Sequence, residues 1–377
     1  MLTADYLDVL VDPIVSLYTE YEDSVIYDIA RRLKNLKFDS AAWQVQRLSE
    51  SGMLYKDILK RLSRMTGKSE NELRRIFKAS GVKTMAFDDA VYVKAGLNPV
   101  PLNLSPAMAQ VLSVGLQKTN QVLRNLTLTT AMSGQEAFIQ AADLAYMQVS
   151  NGAMDYIQAI SYAVRTVASN GLEMISYESG HKDRVDVAVR RTVLTGVSQT
   201  SGMLQMARAD EMGTDLVETS AHSGARNKGD TPENHEMWQG RVFTRGIDPK
   251  NAHYPNFYKV TGYGTGAGLM GWNCRHSFYP FFEGISERAY TEQQLKDLAD
   301  KTVMYNDQEM SLYDATQYQR GIERKIRHWK RQAGALNAAG LDAKRETTKV
   351  KEWQAKMRDF ISQTDLIRQP ERETIYK

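Results

Sequence analysis

Between Glu218 and Phe282 the chain abandons the helical pattern that precedes and follows it, and any fold must be built around that change. Five glycines fall within ten residues (Gly262, Gly264, Gly266, Gly268 and Gly271), a backbone suited to turns and close approach. The same stretch holds four of the six histidines (His222, His235, His253, His276), the only cysteine, Cys274, and two of the five tryptophans, Trp238 and Trp272. The run DLVETSAH reads as a short strand, RVFTRG as a strand and turn, and NFYKVTGYGTG as strand closed by glycine. Pro232 opens a short helix carrying His235, Glu236, Trp238 and Gln239.

The flanks are helical. Residues 3–38 read as an amphipathic helix capped by Thr3, with Leu7, Val11, Ile14, Tyr18, Tyr21, Val25, Ile29 and Leu33 on one stripe. Pro13 predicts a kink or a short leading helix. Tyr18 and Tyr21 serve either a core or a partner surface; the second reading makes them the candidate contact. Further helices are predicted over Ser40–Ser51, Leu54–Leu62 and Ser69 to Gly81, the last from a Ser69/Glu72 capping box and a closing glycine. An extended connection follows at 82–104, then helices from Pro106, from Ser133 and from Asp155 to Gly171. Two more helical pieces lie in 183–211, broken at Gly196 or at Ser201–Gly202. After the mixed stretch come a short helix capped by Thr291 and Gln294, a longer one over Met310–Ala333, and a last one near Lys344–Gln363.

The expected fold is therefore mostly α with a small α+β domain. Its division is an N-terminal helical region (1–211, with a break near 82–104), a mixed domain (212–290) and a C-terminal helical region (291–377). A net charge of +3 is too small to make nucleic acid the main partner. No apolar run approaches a membrane span, and one cysteine leaves no internal disulfide.

Three site readings compete. His222, His235, Cys274 and His276 form two pairs that a small fold can bring together around zinc; the plainer reading has the histidines bonded to loop backbone and Cys274 buried. A cysteine enzyme would need a histidine base beside a thiol of lowered pKa at Cys274. A basic face of Arg320, Arg324, Lys325, Arg327, Lys330 and Arg331 offers contact with packaged DNA or an acidic partner, against a plain solvated face. The glycine run lacks both the dinucleotide spacing and the Gly-Lys-Ser/Thr of a phosphate loop.

SAHSGARNKGDTPENHEMWQGRVF followed by FYKVTGYGTGAGLMGWNCRHSFYPFFEGIS resembles the phage minor capsid protein 2 family, related to the Mu F-like head morphogenesis proteins. The broader pattern falls on His235 to Gly240 and on Asn273, Cys274 and Arg275, with His276 where Asn-Cys-Arg-Cys has its last cysteine. The resemblance makes Arg226, Trp238, Gly240, Gly264, Gly271, Trp272, Asn273 and Arg275 motif residues of structural role. It implies a non-catalytic structural protein of a phage or prophage head, concerned with capsid assembly. The implied partners are the portal protein, the major capsid protein or both, with packaged DNA as a further one and no membrane. The implied location is the virion, inside the capsid or near the portal, and the host cytoplasm during assembly.

Overall fold

The computed structural model describes residues 1–37, 42–176 and 182–375. Phe38 and Ser40, expected to end the first helix and start the second, lie outside these residues. Helices α1 (Ala4–Leu10), α2 (Asp12–Asn35), α3 (Trp43–Lys94), α4 (Pro106–Ser150), α5 (Tyr156–Asn170), α6 (Val185–Glu211), α7 (Phe257–Thr261), α8 (Glu292–Ala299), α9 (Leu312–Ala338) and α10 (Lys344–Thr364) dominate the fold. The strands are β1 (Glu173–Ser176), β2 (Lys182–Arg184), β3 (Leu216–Thr219), β4 (Val242–Thr244), β5 (Phe278–Pro280), β6 (Thr302–Tyr305) and β7 (Gln308–Ser311). They form two antiparallel pairs, β1–β2 and β6–β7, and one three-stranded antiparallel sheet of order β4-β3-β5. The chain is mostly α with a small α+β part.

Local signals hold where a helix truly ends. The Thr3 hydroxyl accepts from Tyr6 N–H, and Asp12–Pro13 start α2 after the short α1. Asp155 caps α5 and Gly171, at φ 71°, closes it. Thr291 and Gln294 make the capping box of α8. The other signals were absorbed by longer helices. The three helices expected between Ser40 and Gly81 are one, α3; those from Pro106 and Ser133 are one, α4; and α6 runs unbroken through Gly196 and Gly202. Ser69 is buried inside α3 and bonds the Tyr18 hydroxyl.

The interior glycines are packing notches. A Cβ at Gly115 of α4 would overlap Thr200 of α6, and one at Gly196 of α6 would overlap Thr119 of α4. These reciprocal pairs, each a glycine four residues before a threonine, let the two backbones approach closely. Glycine weakens an isolated helix, but here the contact it permits offsets that loss.

The chain groups into two compact units. The first takes Met1–Asp12, Asn71–Gln121 and Arg190–Thr316; the second takes Pro13–Glu70, Val122–Val189 and Gln317–Lys377. This grouping differs from three consecutive regions, because α3, α4, α6 and α9 each contribute one part to each unit.

In the first unit the core under the sheet is Val217, Trp238, Phe243, Phe257, Leu269, Met270, Cys274 and Phe278. A polar group is sealed beside it. Asp88 is 1 % exposed and accepts from Gln205 Nε2 at 3.1 Å. Burial pushes its carboxyl up to about 8; Asp89 adds to that, while Gln205, the Met1 amino group and Arg208 oppose it. Between the unfolded value of about 4 and this folded value, the native state keeps a proton that the unfolded chain has released. Stability from this group therefore falls as pH rises through that window. Asp88→Asn keeps an acceptor for Gln205 and removes the titration. At about pH 8 the variant should melt at or above the wild type, and the difference should shrink toward pH 5. Parallel melting curves would refute the assignment.

In the second unit Tyr18 and Tyr21 are 2 % and 5 % exposed. They belong to its core and not to a partner surface, which corrects the expectation for the tyrosine stripe. An amphipathic stripe reports burial without telling which chain buries it.

Candidate metal centre

The central strand β3 fixes the site. It pairs with β5 through Thr219↔Phe278, and the ladder is extended when Ser220 N–H donates to the Ser277 carbonyl and Ser277 N–H donates to Ser220 Oγ, both at 2.8 Å. Residues just after β3 and just before β5 thus run side by side, and the His222 and His276 rings lie 4.3 Å apart. His235 enters from a single 3-10 turn, His235–Met237, which replaces the short helix expected after Pro232. Trp238, fully buried, anchors that turn by donating from Nε1 to the Pro232 carbonyl at 3.1 Å. Its ring stands 4.6 Å from that of His235 and 4.9 Å from that of His276.

The glycine run closes the other side. The stretch read as strand at NFYKVTG is α7, capped by Asn256 and stopped by Gly262 in the left-handed conformation. The chain then folds back on itself, with Leu269 N–H on the Thr261 carbonyl at 2.8 Å and Trp272 N–H on the Gly266 carbonyl at 2.7 Å. Arg226 ties this loop down by donating to the Ala267 and Trp272 carbonyls, each at 3.2 Å. Asn273 takes a positive φ of 56° before Cys274.

His235, Cys274 and His276 are all buried, and one ligand atom from each lies within 4.8 Å of the others. Cys274 Sγ is 3.7 Å from His276 Nδ1. His222, half-buried, lies beside His276 but outside this set, and His253 is exposed and elsewhere. Of the motif residues, Gly240 turns at φ 64°, Gly264 at φ 92°, and Arg275 pairs with Asp8 at 2.9 Å. Gly271 packs against the Gly266 backbone, and Trp272 is 62 % exposed. Sequence reasoning missed Gln239. Its Oε1 accepts from His222 N–H at 3.1 Å and meets His276 Nε2 at 3.0 Å. Glutamine is neither a usual zinc ligand nor a general acid or base, so a search for those residue types passes over it.

The electrostatics suit neutral groups. Burial pushes His235 down to about 4 and His276 well below its ordinary value. Burial also lowers His222, with Arg275 adding to the effect. The same burial pushes the Cys274 thiol up to about 11. A nucleophilic cysteine needs the opposite shift and an open approach, so the geometry gives the cysteine-enzyme reading no support.

The basic stripe lies in the second unit and is partly internal. Arg331 is 3 % exposed and spends its guanidinium on Glu22 and Asp23. Arg327 pairs with Asp186 at 2.6 Å, and Lys330 donates to the Glu373 carbonyl at 2.7 Å. Arg320 is half-buried, while Arg324 and Lys325 are exposed. This corrects the picture of six cations on one open face: the helix turns its most C-terminal arginine inward.

Against known proteins, residues 2–362 match the family described as phage minor capsid protein 2. A structural protein of Lactococcus phage LL-H is 25 % identical over 370 residues, covering 93 % of this chain and 94 % of the relative. A structural protein of Lactococcus phage mv4 is 35 % identical over 136 residues, covering 34 % of this chain and 98 % of the relative. No solved structure matches significantly. Among the described residues no helix is long and apolar enough to cross a membrane. With both the helical scaffold and the His–Cys centre inside the matched span, the chain belongs to the phage minor capsid protein 2 family and is a minor structural protein of a phage head.

Proposed function

We propose that this minor capsid protein is a non-catalytic assembly component held at the portal or the inner capsid surface, and that α4 supplies a contact in the second unit. The carrying observation is a charge-free stretch of exposed helix. Between Arg124 and Glu136 no residue is charged. Val122, Leu128 and Met132 are 42 %, 58 % and 66 % exposed, with exposed Asn125 and Thr129 between them. Spacings of three and four put these on one stripe about three turns long. An apolar stripe whose one neighbouring charge over residues 122–135 is Arg124, paired with Glu70 at 2.5 Å, suits packing against another helix of a head protein.

The test is quantitative mass spectrometry of proheads and of DNA-filled particles assembled with wild type or with Leu128→Lys/Met132→Lys. Wild type should appear in few copies in both particles. The double variant should remain folded and fall at least about tenfold in particles, the loss expected when two apolar anchors of an interface are replaced by charge. Equal incorporation of the variant would remove α4 as the contact. Absence of wild type from both particles would remove the assembly role.

A further inference from the structure

We propose that His235, Cys274 and His276 bind one zinc ion, with His222 as fourth ligand, forming a closed structural centre.

The argument begins with protons. Gln239 Oε1 accepts a hydrogen bond from His222 N–H, which has nothing to offer but a donor. That position is therefore oxygen and not the amide nitrogen, so His276 Nε2, 3.0 Å from it, must carry a hydrogen. His276 Nδ1 is then a bare lone pair, and it is the atom that faces Cys274 Sγ at 3.7 Å. His235 Nε2 meets the Ala267 carbonyl at 2.9 Å and so donates, leaving Nδ1 bare. His222 Nδ1 meets the Ser223 carbonyl at 2.9 Å and so donates, leaving Nε2 bare. Each imidazole thus has one nitrogen committed to an oxygen and the other unprotonated, the arrangement that orients metal-bound histidines.

The separations agree. Tetrahedral zinc with Zn–S of about 2.3 Å and Zn–N of about 2.05 Å sets a sulfur and a nitrogen ligand about 3.6 Å apart. Cys274 and His276 already stand at that distance. The three-residue set spans up to 4.8 Å, so closure on an ion requires a contraction of about 1 Å, within reach of side-chain rotation. His222, with its ring 4.3 Å from that of His276, completes the set from the chain just beyond β3. The donors are imidazole and sulfur with no carboxylate, which selects zinc over magnesium or calcium. Filling all four positions with side chains is the pattern of a structural site rather than a catalytic one. The ion would add a covalent-strength link between three segments that otherwise meet through hydrogen bonds and apolar packing: the end of β3, the His235 turn and the approach to β5.

The full-length chain, freed of metal with a chelator and confirmed folded by circular dichroism, is titrated with zinc and separately with cobalt(II). The expected results are one zinc per chain by elemental mass spectrometry, a higher melting temperature with zinc, and a thiolate-to-cobalt charge-transfer band. Cys274→Ser should abolish the band, and His222→Ala should weaken zinc binding at least about tenfold. A folded wild-type chain that takes up no zinc, or cobalt without the thiolate band, overturns the proposal. So does a folded Cys274→Ala variant with unchanged zinc content. If a variant does not fold, the wild-type cobalt spectrum decides. Unchanged affinity in His222→Ala removes that residue as a ligand.

Discussion

Arg331→Met should destabilise the second unit by about 3–5 kcal/mol, the cost of leaving buried charges without their partner. Arg331 sits on α9 with a side chain 4 % exposed, between two carboxylates that are 0 % exposed. Its Nη2 donates to Glu22 at 2.7 Å and its Nε to Asp23 at 2.5 Å. The other oxygen of Glu22 accepts from Leu172 N–H at 2.9 Å, just after Gly171 has ended α5. The guanidinium thus joins α9 to α2, and through Glu22 to the end of α5. Burial already raises the Glu22 carboxyl, and Arg331 is the largest influence opposing that rise. Without Arg331 the native state should hold a proton on Glu22 that the unfolded chain gives up above about pH 4. The variant's deficit should then grow as pH rises from 5 toward 8 and shrink in acid. Adding Glu22→Gln and Asp23→Asn removes the stranded charges and should recover much of the loss, since neutral side chains can bond one another. Urea denaturation followed by circular dichroism, read at both pH values, checks this. A loss below about 1 kcal/mol would mean that water reaches the carboxylates after all.

That cluster also marks the limit of what could be read from the chain alone. Arg331 and Glu22 are 309 positions apart, and no local pattern links them. On a helical wheel Arg331 sits with five other cations, so an open basic face was the natural reading. Local features fared better because their physics is local. The Thr291–Gln294 box, the Asp155 cap and the Gly171 stop each involve groups within one turn, and each stands where it was expected. Signals of the same kind failed where tertiary contacts reused them. Ser69 bonds Tyr18 and Gly196 admits Thr119, so neither ends a helix. At Phe257–Thr261 aromatic and β-branched residues suggested a strand, yet the Asn256 cap and left-handed Gly262 suffice for one helical turn. The His–Cys cluster was legible because Cys274 and His276 are two apart and the strand they approach pairs with the one ending near His222. Gln239, which sets the His276 tautomer, was not.

Gly268→Ala should destabilise the first unit by about 3 kcal/mol, whereas Gly264→Ala, four residues earlier, should cost only about 1–2 kcal/mol. The two glycines serve different ends. Gly264 has φ 92° with nothing within 4 Å of an added methyl, so alanine there meets backbone strain alone. Gly268 is buried where the loop crosses itself. An added Cβ would lie 2.5 Å from the Thr261 carbonyl oxygen and closer still to that of Gly262. Those are backbone atoms fixed by α7, and they cannot rotate away as a side chain would. The loop must therefore open, breaking the 2.8 Å bond from Leu269 N–H to Thr261. Ala267 is the next residue back, and its carbonyl holds both His235 Nε2 and Arg226. Moving it frees the His235 ring, so the damage should be visible at the histidine as well as in stability. The imidazole N–H resonance of His235, protected in wild type by burial and by its carbonyl, should exchange rapidly in Gly268→Ala and persist in Gly264→Ala. Thermal melts should rank the variants in the same order. Equal melting temperatures, with the His235 proton equally protected in both, would show that the loop absorbs the methyl without opening; the glycine run would then serve turn geometry alone and not the support of the histidine cluster.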